Sequence, residues 1–196
     1  MPPRGLRQVY ERSSAVISYG STGRFRQSEV IVTIRVSKLL LVMSMALLAS
    51  LVSFGNLTDY GSNLAFVQHV FRMDTIFPGS AIGYRAITSP VIQNAGYVLI
   101  IALETVTAVC CWIGTFTMWR ARRADHSAFN RSKRWAIAGL TLGFLTWQVA
   151  FMSVGGEWFG MWMSTTWNGE ESAFRFFATF ALVLIFLSLR NDDIAE

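Results

Sequence analysis

Four stretches of this chain are apolar for long enough to cross a bilayer, and that pattern leaves few folds open. A hydrocarbon core about 30 Å thick takes roughly 20 apolar residues in a helix. The first run covers about 36–54 and carries Leu39, Leu40, Leu41, Leu47, Leu48 and Leu51, with no charge after Lys38. The second starts at Pro90 behind Ser89, an N-cap followed by proline at the first helical position. It continues to about 119 with a single charge, Glu104. The third covers about 135–155 and the fourth about 173–189, with Arg175 in the fourth's first turns. Ahead of that last run, Asn168 and Glu171 have the spacing of a capping box. Glu170 and Glu171 also suit the positive end of a helix dipole. Backbone polar groups in lipid must be satisfied within the segment. The expected fold is therefore all-α, a polytopic membrane protein with four transmembrane helices in residues 30–196. Only 15% of residues are charged and 53% are hydrophobic, where a soluble domain has roughly 25% charged. Lipid as part of the solvent accounts for that imbalance.

Residues 1–29 are different. Arg4, Arg7, Arg12, Arg24 and Arg26 stand among Ser and Gly, and Glu11 is the one acid before Glu29. No apolar run follows Arg4 and Arg7 closely enough for a signal peptide. The segment is expected to be a disordered cytoplasmic tail; initiation further along, near Val30 or Val32, is the other reading.

The basic residues set the expected orientation. Residues 120–134 hold Arg120, Arg122, Arg123, Arg131, Lys133 and Arg134, and Arg35 and Lys38 adjoin the first span. Residues 55–89 hold Arg72 and Arg85, offset by Asp59 and Asp74, and residues 156–172 hold no Lys or Arg at all. This predicts a multi-pass inner-membrane protein with both termini cytoplasmic. Trp158, Trp162 and Trp167 would then belong to an outer aromatic belt, and Trp119 and Trp135 to an inner one. The basic cluster is read as a topology determinant, so no nucleic-acid partner is expected.

The outer loops are too apolar for simple turns. Leu64, Val67, Val70 and Phe71 recur at helical spacing within 63–73, which predicts a short amphipathic interfacial helix in the first outer loop. Phe77, Pro78 and Gly79 make a turn after it. The second outer loop holds Trp158, Phe159, Met161, Trp162, Met163 and Trp167. Such loops are seldom free in water. Either they pack on each other as a lid, or they dock a lipid, a quinone-like ligand or another membrane protein. Phe66, His69, Phe71, Trp158, Trp162 and Trp167 are the candidate docking residues.

Glu104 is the sharpest residue in the spans. An acid near mid-membrane costs roughly 3 kcal/mol on insertion scales. Ala108 and Cys111 share its helical face, so it is expected to face the bundle. Arg175 is its candidate ion-pair partner. Thr141 and Gln148, on one face of the third span, are candidate hydrogen-bonding groups, and Gly139 and Gly143 offer a small-residue contact. Two roles stay open for Glu104: a structural group that fixes helix register, or a proton or cation site. No second intramembrane acid or His supports a relay. His69 and His126 lie outside the spans, which argues against a haem. Adjacent Cys110 and Cys111 read as packing residues. No nucleotide loop, catalytic triad or zinc-binding motif occurs, so neither an enzyme nor a cofactor is expected. Asn56, Leu57 and Thr58 match a glycosylation acceptor, a weak three-residue pattern.

Several longer motifs carry a resemblance. They are Asn56-Leu57-Thr58-Asp59-Tyr60-Gly61-Ser62-Asn63, Phe66-Val67-Gln68-His69-Val70, Met73-Asp74-Thr75, Arg85-Ala86-Ile87-Thr88, Val154-Gly155-Gly156-Glu157-Trp158-Phe159 and Trp167-Asn168-Gly169. Across residues 32–189 the chain resembles a bacterial family of small integral membrane proteins of unknown function, with Tyr84 and Met163 as departures. The resemblance implies a bacterial membrane protein and supplies no reaction, cofactor or catalytic residue. From the residues themselves, the leading expectation is a non-enzymatic accessory or assembly subunit of a membrane complex, partnered by another membrane protein or by its own copies. The alternative is proton- or cation-coupled transport through Glu104.

Overall fold

A computed structural model of the chain describes the backbone of residues 4–190 and the side chains of residues 29–190. The described residues form helices joined by turns and irregular segments. Helix α1 is Arg4–Thr58, α2 is Tyr60–Arg72, α3 is Pro90–Ala121, α4 is His126–Ser132, α5 is Arg134–Leu145 and α6 is Glu170–Ser188. A π-helical segment, Thr146–Trp158, continues α5. Four stretches are long and apolar enough to cross a membrane: Glu29–Thr58, Pro90–Ala121, His126–Trp158 and Glu170–Ser188. The shortest has 19 residues, about 28 Å at 1.5 Å per residue, close to the thickness of a hydrocarbon core.

The helices form a ring. α1 packs on α3, α3 on α5, α5 and the π-helical segment on α6, and α6 returns to α1. Leu39, Val42, Ala46, Ala49, Cys111, Ala136, Leu140, Trp147 and Phe180 build the shared core. Leu47, Leu51, Val98, Val109, Leu182 and Ile185 face outward. In water such an apolar exterior would be a liability; against lipid tails it costs nothing. Glycine sets the closest approach. A Cβ at Gly114 would lie 2.5 Å from the Ala136 backbone nitrogen, and one at Gly139 would lie 2.7 Å from the Cys111 sulfur. Gly143 meets Phe180 of α6 instead, so the two glycines of the third span serve two different neighbours.

Two expectations need revision, and the segment expected as a tail has a helical backbone from Arg4. After Pro2 and Pro3 no proline occurs before Pro78, and a helix nucleated in the first span adds residues at little cost. The first span's helix also runs past 54 to Thr58, which puts Asn56 inside the helix. Finally, α6 starts without a capping box. Gly169 holds the cap position, and the Asn168 side chain accepts from the Glu170 amide at 3.0 Å.

The two ends of the bundle differ in chemistry. At one end, buried cations meet helix C-termini, where carbonyls lack intrahelical partners and the dipole favours positive charge. Arg35 donates to the Ala124 carbonyl at 2.7 Å and lies over the Phe129 ring. Lys38 donates to the Leu189 carbonyl at the end of α6. Asp125 caps α4. The Ala128 amide and the Ser127 hydroxyl donate to its carboxyl and hold it below the usual carboxylate range.

Candidate functional site

At the other end, the two long loops close over the bundle as one unit. His69 stacks on Trp167 at 4.4 Å and bonds Asp74 at 2.9 Å. Phe71 stacks on Phe159 at 4.8 Å, and Phe66 meets Trp167 edge-on. Thr75 donates to the Ser164 hydroxyl at 2.8 Å, and Arg85 donates to the Trp158 carbonyl while lying over its ring. Val70, Met73, Phe159 and Met161 form a small core under this surface. Helix α2 ends at Met73 in the left-handed conformation (φ 53°), which turns the chain across the bundle. Of the six candidate docking residues, Phe66, His69, Phe71 and Trp167 make ring contacts within the lid and stay partly exposed. Trp158 and Trp162 stay half exposed, beside Phe77 and Tyr84.

Beneath the lid is a cavity of about 310 Å³. α1 contributes Val52 and Asn56, α2 Asn63 and Phe66, and α3 Tyr97 and Glu104; the π-helical segment adds Trp147 and Phe151, and α6 Ser172 and Phe176. Glu104 is 1% exposed. Its carboxylate accepts a 2.7 Å hydrogen bond from the Asn56 side-chain amide. Tyr97 donates to the Asn56 backbone carbonyl at 2.9 Å, which fixes the end of α1 against α3. Thr105 spends its proton on the Ile101 carbonyl, so Ser53 is the donor in the 2.7 Å contact between the two hydroxyls. These bonds tie α1 to α3 on both sides of Glu104. Because Asn56 is two residues from the end of α1, Glu104 lies toward the lidded end. The long α3 carries it there: its first turns pack against α2 before it enters the main bundle.

The expected polar partners are elsewhere. Arg175 is exposed and donates to the Ser172 hydroxyl at 3.1 Å. On α6 the inward positions are Ala173, Phe180, Val183 and Leu187, and Arg175 falls on the opposite side with Phe174 and Leu182. Gln148 is partly exposed and is not among the cavity residues; Thr141 is exposed. Thr141 already faces outward within the α-helical part of the span, and Gln148, seven residues on, lies on the same side. From Thr146 the backbone bonds skip one residue more than in an α-helix, as in Phe159 N–H to the Val154 carbonyl. Trp147 and Phe151 take the inward positions. Single-turn π-bulges are frequent at functional sites, and a π-helical run as long as this one is rare.

Sequence reasoning finds Glu104 and misses its setting. Asn56 reads as part of a glycosylation motif, and Asn63, Tyr97, Trp147, Phe151 and Phe176 carry no local signal. Proximity of Asn56 to Glu104 depends on how far two helices continue past the hydrocarbon, which apolar run lengths do not report. Cys110 and Cys111 are free thiols, Cys111 buried against α5. Among the described residues, no cluster of three His, Cys, Asp or Glu is placed to hold a metal ion.

Comparison with known proteins gives the family. Residues 34–190 match the family described as predicted small integral membrane protein (DUF2165). The chain belongs to that family, and the membrane-spanning character and the resemblance drawn from its motifs agree with it. No curated protein and no solved structure matches the chain.

Proposed function

We propose that the chain is a non-enzymatic accessory protein of the bacterial inner membrane that binds a small ligand in the lidded cavity. The observation that carries this reading is the cavity itself. It is a partly open space lined by all four spanning stretches, lies under two interlocked loops, and has a buried carboxyl group in its wall. Ligand pockets are typically apolar concavities of about 300–1,000 Å³ with a few placed polar groups. Amides, hydroxyls and one carboxyl suit recognition better than bond-breaking, because no nucleophile with an adjacent base lines the space. The aromatic outer face of the lid, with Trp158 and Trp162, suits a second membrane protein or a second copy of this chain. Nucleic acid is not a partner in this reading: Arg35 and Lys38 are engaged with helix ends.

The test is purification of the full chain from native membranes in mild detergent, followed by mass spectrometry of retained small molecules and proteins. Val52→Phe, which enlarges a side chain in the cavity wall, is the comparison. A small molecule should accompany the wild type and be absent from a folded Val52→Phe protein. Identical small-molecule content in the two would refute the reading.

Transport of a proton or cation is the second reading, favoured by the buried Glu104 carboxyl facing an open space. Toward the cationic end, however, the face below Glu104 is closed by Ala108, Cys111 and Met118 in the packed core. If transport is the function, Glu104→Gln should fold normally and abolish ion movement in reconstituted vesicles.

The same reading places the lid outside the cytoplasm. A cytoplasm-active reporter fused after Asn130 should be active, and one fused after Ser164 silent. The six basic residues at 120–134 against none at 156–172 motivate this. The reverse pattern would overturn the orientation.

A further inference from the structure

We infer that the cavity is built for an organic ammonium group, either a free amine-type solute or the head group of a lipid. This rests on the cavity being a binding site and adds the class of ligand. Glu104 is buried at 1% exposure and lines the space. Its hydrogen-bond partner is the neutral amide of Asn56. Among the described residues, no Lys, Arg or His lines the cavity, and the nearest candidate cation on α6, Arg175, is turned outward. The ionised form of Glu104 lacks a countercharge in such surroundings, and removing charge from water without one is costly. A cationic ligand supplies it.

The rest of the lining selects among cations. Phe66, Tyr97, Trp147, Phe151 and Phe176 surround the same space. Aromatic faces attract cations through the ring quadrupole, and aromatic cages recognise quaternary ammonium groups. A small metal ion would instead demand several oxygen ligands at short range, and here one carboxyl faces mostly carbon. Anions are disfavoured by Glu104 itself. Asn63, Asn168 and Ser172 toward the lid leave hydrogen-bonding groups for a hydroxyl or phosphate attached to the ammonium.

Choline and 3,3-dimethylbutan-1-ol have the same shape and differ in charge, so the pair isolates the inference. Binding of each would be measured by calorimetry on the full chain in phosphatidylglycerol nanodiscs, for wild type, Glu104→Gln and Val52→Phe. Folding of the variants would be checked by thermal unfolding. Choline should bind the wild type about tenfold more tightly than the alcohol. Glu104→Gln should bring choline down to the level of the alcohol and leave the alcohol unchanged. Val52→Phe should weaken both. Equal binding of the two by wild type, with both lost in Val52→Phe, would overturn the ammonium class and keep the cavity reading. Binding insensitive to Val52→Phe, or no binding of either compound, would overturn both. Dihexanoylphosphatidylcholine separates the sources: tighter binding than choline identifies a lipid head group, weaker binding a free solute.

Discussion

Replacing Gly114 with leucine should keep the bundle from closing. A Cβ at this position would stand 2.5 Å from the Ala136 nitrogen and 2.6 Å from its Cα. Both are backbone atoms, so relief requires α5 to move away from α3 as a body. Overpacking of this kind costs about 1–3 kcal/mol for small additions and more where the neighbour cannot yield. Gly114→Ala should therefore lose about 1–3 kcal/mol, and Gly114→Leu should lose most of its folded yield in detergent. Gly55 is the control. It lies in α1, where an added Cβ would meet nothing within 4 Å, and Gly55→Ala in a helix is neutral or gains about 0.5–1 kcal/mol. Thermal unfolding followed by tryptophan fluorescence would rank the three variants. Equal melting temperatures for Gly114→Ala and Gly55→Ala would show that α3 and α5 do not meet as described.

The same contact shows what a sequence can and cannot disclose about a protein of this kind. Apolar run length is a direct consequence of bilayer thickness, so the four spans are readable, as is the inward face of Glu104 from Ala108 and Cys111. Lid formation stays open between two readings because aromatic loops signal burial without naming the burying surface; His69 on Trp167 and Phe71 on Phe159 show the loops burying each other. Gly114 carries no local signal, since its role depends on Ala136 in another helix. Pairing Arg175 with Glu104 follows from the rule that opposite charges in lipid should meet. Yet a long side chain one turn from a helix start can keep its charged head outside the hydrocarbon. The π-helical register of Thr146–Trp158 has no local signature in the sequence.

Loss of the Asn56 side chain should destabilise the protein more than loss of Arg175, against the expectation from charge alone. Glu104 is buried, and the Asn56 amide is its donor at 2.7 Å. Removing one partner leaves a buried polar group unsatisfied, at about 1–3 kcal/mol. Hydrogen bonds between membrane helices couple more weakly on average, up to about 1.7 kcal/mol, so Asn56→Ala should cost about 1–2 kcal/mol. Arg175→Ala removes an exposed contact to Ser172 and should stay within about 0.5 kcal/mol of wild type. Glu104→Gln retains an acceptor oxygen for Asn56 and should lose less than Glu104→Ala, which empties the site. The double-mutant cycle separates the pairs. Asn56→Ala and Glu104→Ala should be non-additive by about 1 kcal/mol, whereas Arg175→Ala and Glu104→Ala should add. Melting curves of the single and double variants beside wild type in one detergent are sufficient. Coupling of Glu104 to Arg175 and not to Asn56 would return the ion pair to the bundle and remove the uncompensated carboxyl on which the ligand class depends.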